Sequence, residues 1–115
     1  MKKVCITVLK CACHKELIER FCKKDIGPCP RFRPGQRFIT TFREPKGFCG
    51  EAWKAIEHYV FALSCGAPRI FDDDGTWVSP EKTAIVSCND GIRPVSFKVE
   101  QMDEEASPTA AEWYY

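Results

Sequence analysis

No Cys-x-x-Cys pair occurs anywhere in this chain, although it carries eight cysteines, at positions 5, 11, 13, 22, 29, 49, 65 and 88. That absence weighs against a zinc ribbon, a thioredoxin-like site and a ferredoxin run, each of which uses cysteines separated by two intervening residues. Any shared cysteine site must therefore be assembled from distant segments. Long apolar runs are missing too. After Met1-Lys2-Lys3, the run "VCITVL" stops at Lys10 with no small-residue cleavage site behind it, so a signal peptide is not expected. Nothing approaches the roughly 20 apolar residues of a membrane span, and a cytoplasmic location is expected. Histidine is scarce, with only His14 and His58. Cys49 and His58 lie nine positions apart, which at about 100° per residue sets them on opposite faces of a helix. A cysteine–histidine dyad is then left to His14 folding over Cys29 or Cys88, and His58 reads as a surface or boundary residue.

What is present is the balance of a globular domain: 115 residues, 44% hydrophobic and 29% charged. The net charge of +1 hides an asymmetry, since residues 1–50 hold 12 Lys/Arg against 4 Asp/Glu and residues 51–115 hold 5 against 12. The basic residues are scattered, so mutual attraction of the two halves, within a chain or between subunits, is expected in place of nucleic-acid binding.

The pattern along the chain predicts an α+β fold: a small, mainly antiparallel sheet with one principal helix and one shorter helix packed on it. Val4–Leu9 is apolar on both faces and reads as a strand buried on both. Leu17, Ile18, Phe21 and Cys22 form a helical stripe within 15–24, which "DIGPCP" ends. "RPGQ" is a turn before the strand "QRFITTF". Ala52, Trp53, Ile56, Val60 and Leu63 share one face of a helix spanning about 49–64, with Trp53 in the core. "TAIVSC" and "PVSFKVE" are strands joined through the Asp90-Gly91 reversal. Trp77 reads as a loop anchor and the triple Asp at 72–74 as solvated, because it lacks the alternating spacing of a calcium loop. One α+β domain over 1–101 and an acidic, aromatic tail over 102–115 complete the layout.

Three cysteines occupy privileged points. In "GPCPRF" two prolines stiffen the backbone around Cys29 and give its side chain a defined direction. Cys49 opens the main helix, where unpaired N–H groups and the macrodipole favour an anionic sulfur. Cys88 ends a strand directly before a tight reversal. Thiolates are soft-metal ligands, so these three, with Cys22 near the end of the first helix as a fourth, are the candidate metal ligands, for an iron–sulfur cluster or zinc. Arg93 and Asp90 are the candidate cofactor-binding residues beside them, Asp90 also being a turn former. In "CACH" at 11–14 an extended strand sets Cys11 and Cys13 on one face, as paired ligands or in a disulfide with Cys5 or Cys65, but the segment reads as incidental.

The segments "GPCPRFRPGQRF", "GFCGEAW" and "CNDGIRPVSFKVE" together resemble a widespread family of small prokaryotic proteins, common in anaerobes, over about residues 2–101. The family implies no activity. The resemblance groups Cys29, Cys49 and Cys88, and sets Cys11, Cys13, Cys65 and the tail outside the shared pattern.

Three functions remain open at this point. The leading one is a cysteine-ligated metal or iron–sulfur protein with a redox or sulfur-handling role and a redox partner protein. The second is a metal-free thiol enzyme with Cys49 as the catalytic nucleophile and Cys29 or Cys88 resolving it. The third is an assembly module with structural cysteines, in which the charged halves and the tail support a homo-oligomer.

Overall fold

The computed structural model describes residues 1–72 and 74–106. Six elements run in the order β1 (Lys2–Cys11), α1 (Lys15–Phe21), β2 (Arg37–Thr40), α2 (Gly50–Ser64), β3 (Thr83–Ser87) and β4 (Val95–Glu105). The four strands form one sheet in the order β2-β1-β4-β3, antiparallel at every pairing. This is the small α+β fold expected, with one difference: among the described residues only α2 packs on the sheet, and α1 lies against no strand.

Alternation decides which side of the sheet is covered. Val4, Ile6 and Val8 of β1 are buried with Ala84 and Val86 of β3 and with Val95, Phe97 and Val99 of β4. The α2 stripe of Ala52, Trp53, Ile56, Val60 and Leu63 closes over them, its three- and four-residue spacing matching one helical face. On the other face Cys5 is buried, where Arg37 donates to its sulfur at 3.3 Å, but Leu9, Ile39 and Ile85 are exposed. Burial of Val4–Leu9 on both faces therefore does not hold. The helix covers one face only, and β1 is central in order without being enclosed.

The first helix is also shorter than its stripe. It ends at Phe21, Cys22 leaves in extended backbone, and Ile18 is its one buried residue. At the other end of the chain, β4 continues through Met102–Glu105. There Glu105 pairs with Lys2 across the sheet and accepts from the amino terminus at 3.2 Å, and Lys3 pairs with Glu104 at 2.9 Å. Opposite charges from the two halves of the sequence thus meet within one chain. The remainder of the expected tail, from 107 on, lies outside the described residues.

One loop differs from its sequence reading. Asp72 is not solvated: it is 5% exposed, and its carboxylate accepts the N–H groups of Trp77 and Val78, each at 3.0 Å. Those bonds hold the Asp72 carboxyl below the usual carboxylate range. Trp77 anchors that loop through its backbone, its ring being largely exposed. The "RPGQ" turn forms as expected, with Gly35 in the left-handed region at φ +92° and its N–H donating to the Val8 carbonyl at 2.8 Å.

Candidate functional site

An aromatic cluster sets the two loops that carry Cys29 and Cys49. Phe32, three residues after Cys29, meets Phe48 with ring centroids 5.0 Å apart and Phe97 at 5.2 Å. Phe48 immediately precedes Cys49 and packs on Phe38 at 5.0 Å and on Trp53 at 6.1 Å. Such edge-to-face contacts favour one arrangement of rings, so the residues beside Phe32 and Phe48 are held where those rings are buried. Cys49 is the N-cap of α2, its carbonyl accepting the Trp53 N–H at 2.9 Å.

Cys88 is placed by the sheet. Its N–H donates to the Val95 carbonyl at 3.1 Å, extending the β3–β4 ladder by one residue, and the Val95 N–H returns to the Cys88 sulfur at 3.3 Å. The reversal beyond it is tied by Asp90. Its Oδ1 accepts from the N–H groups of Ile92 at 2.9 Å and Arg93 at 3.1 Å, and Arg93 Nε lies 3.6 Å from Oδ2. The Ile92 N–H first, with the Arg93 N–H and charge, keeps the Asp90 carboxyl below its ordinary range. The turn role expected of Asp90 is thereby accounted for bond by bond.

These segments border an open cavity of about 380 Å³. Cys29, Cys49 and Cys88 line it on a floor of Phe32, Ala52 and Val95. Asp90 and Arg93 stand at its polar side with Arg31, Glu51 and Asn89. Five of the six residues singled out from sequence are thus in one pocket. Cys22 is not among them. As the cap of α1 it lines a different pocket with Lys15, Ile18, Glu19, Lys24 and Asp25. His58 is exposed against Tyr59 at 3.9 Å, and no contact joins it to Cys49.

One thiol that reads as incidental in the sequence lies beside this pocket. Cys11 packs against the same core as Cys29, Cys49 and Cys88, and its sulfur points to the Phe32 carbonyl at 3.5 Å. Burial pushes the Cys11 thiol up, and the neighbouring Cys29 and Cys88 sulfurs push it further in the same direction. No pattern of spacing would have found it, because its direction depends on an irregularity in β1.

All eight cysteines are free thiols. Among the described residues no three His, Cys, Asp or Glu side chains stand in an arrangement that would hold a metal ion. The pocket thiols face a shared space without closing on one point, and each swings on a single χ1. Chemically, the donor set is soft, sulfur-rich and flanked by guanidinium groups, with a backbone N–H already directed at one sulfur. Among the described residues no helix is long and apolar enough to cross a membrane. No family model, no curated protein and no solved structure matches the chain.

Proposed function

We propose that this protein binds an iron–sulfur cluster, or failing that zinc, through Cys29, Cys49 and Cys88, and serves electron transfer or sulfur handling. The observation that carries the reading is the convergence of three thiols, from a proline-braced loop, a helix start and a strand end, on one cavity. A single zinc needs sulfurs closed around a point at roughly 2.3 Å, whereas three thiols bordering a shared space suit a polynuclear group better.

Each residue has a defined task in this reading. The three thiols supply anionic sulfur, and the Val95 N–H donates to Cys88, the kind of bond that tunes a cluster's potential. Arg93, aligned by Asp90, and Arg31 offset the negative charge that thiolates bring into a half-buried pocket. Phe32, Ala52 and Val95 limit the access of water from beneath. When bound, an iron–sulfur cluster would supply one-electron chemistry, which calls for a redox partner protein at the exposed mouth, whereas zinc would supply none.

Anaerobic purification, with visible absorption and metal analysis, tests this. The full chain should carry iron and sulfide, and Cys29→Ser, Cys49→Ser and Cys88→Ser should each abolish the visible absorption while Cys65→Ser retains it. A wild-type protein that takes up neither iron nor zinc overturns the reading. In that case rapid alkylation of Cys49 alone would favour the thiol-enzyme alternative.

A further inference from the structure

The strand β1 contains a bulge whose consequence is chemical. Val8 pairs with Phe97 and Lys10 with Ser96, so Leu9 is an extra residue with no partner on β4. Up to Val8 the even positions Val4, Ile6 and Val8 face α2 and the core. Strict alternation would continue with Lys10 inward and Cys11 outward, on the side of Cys5 and Leu9. The bulge resets the parity. Lys10 pairs with Ser96 on the outer face, and Cys11 pairs with the buried Val95 on the inner one. Because Val95 in turn exchanges two hydrogen bonds with Cys88, the residues Cys11, Val95 and Cys88 form one row across three adjacent chain segments. Cys11 thereby points to the Phe32 carbonyl, on the segment that also carries Cys29.

We infer that Cys11, which does not line the cavity but lies against Phe32 and Val95 of its floor, is the fourth ligand of its centre, turned inward by the Leu9 bulge. The inference rests on the metal-binding reading above and extends it to a four-cysteine site. It replaces Cys22: neither lines the cavity, but Cys11 lies against Phe32 and Val95 of its floor, whereas Cys22 lines a different pocket beside α1, and the "CACH" segment gains a task for its first cysteine only. A bulge costs ladder hydrogen bonds, and here it exchanges them for a sulfur on the inner face in place of a lysine.

Anaerobic titration of the metal-stripped full chain with Co(II) counts thiolate ligands through sulfur-to-cobalt absorption. Cys11→Ser and Cys11→Ala should each lower that band by about a quarter and weaken Co(II) binding at least about tenfold. Cys13→Ser, Cys22→Ser and Cys65→Ser should match wild type. Cys11 variants that match wild type overturn the fourth ligand while leaving a three-cysteine centre standing. If wild type binds no Co(II), the metal reading itself falls, and the placement of Cys11 is then read by diamide. This oxidant takes two electrons and two protons from a pair of thiols as their S–S bond forms. Peptide mapping that finds Cys11 joined to Cys29 or Cys88 supports the shared pocket, and Cys11 left free while other pocket thiols link overturns it.

Discussion

Single carboxylates do much of the loop-fixing in this molecule, and their pH dependence has a definite sign. Asp72 and Asp90 each accept two backbone N–H bonds, and both are held below the ordinary carboxylate range. A carboxyl with a depressed folded pKa contributes stability that is present above its unfolded value, near 3.9, and lost as pH falls through the folded one. These two groups should therefore leave stability flat from neutral pH down to about 5 and loosen the 72–78 and 88–94 loops below about 4. Amide exchange at Trp77, Val78, Ile92 and Arg93 checks this, and protection that persists at low pH would contradict it. Asp90→Ala should lower stability by about 1 kcal/mol, because two donors lose their acceptor. It should also alter the reactivity of Cys88, two residues away, whereas Asp90→Asn, which keeps the oxygen, should change both far less. Thermal melts and timed alkylation separate the two variants.

At the level of elements, α2 and the aromatic cluster join stability to the site. Ile56 is fully buried in the middle of the helix face, so Ile56→Ala should cost about 2–5 kcal/mol by transfer and cavity terms together. Phe48→Ala should cost about 3–5 kcal/mol and, unlike Ile56→Ala, also change the labelling of Cys49, because the ring next in sequence holds that loop against Phe32 and Phe38. Equal losses of stability with Cys49 unaffected would show that the helix start alone sets the thiol. The α2 stripe and the strands β3 and β4 could be read from residue pattern because apolar period follows directly from backbone geometry. The end of α1 could not. Its stripe continues to Cys22, but only Ile18 is buried, and a helix of seven residues takes its length from the loop it must join.

For the whole molecule, the connection that matters most is between the two ends of the chain. β1 and β4 pair at the centre of the sheet, and Gln101 ties that pairing to the helix layer. Its Nε2 donates to the Leu63 carbonyl at 2.7 Å and to that of Ala67 at 3.3 Å, capping the end of α2. A chain ending at Glu100 should melt well below the full-length protein even though the removed residues look acidic and tail-like. Equal melting temperatures would rule out this structural role. The exposed pairs Lys2–Glu105 and Lys3–Glu104 should matter less, with Glu104→Gln lowering the melting temperature only slightly and molar salt removing the difference.

By itself the sequence determined the element types, the antiparallel α+β class, the core face of α2 and the three thiols most worth watching. Each of these follows from local rules: periodicity, proline stiffness, a helix start and a strand end. Tertiary structure alone decided that Cys29, Cys49 and Cys88 share a cavity, that Cys22 does not, and that Cys11 turns inward. The direction of Cys11 depends on one unpaired residue in a ladder whose other strand lies more than eighty positions away. An alternating pattern carries no mark of such a slip, because inward and outward exchange at the bulge without any change in the residues themselves.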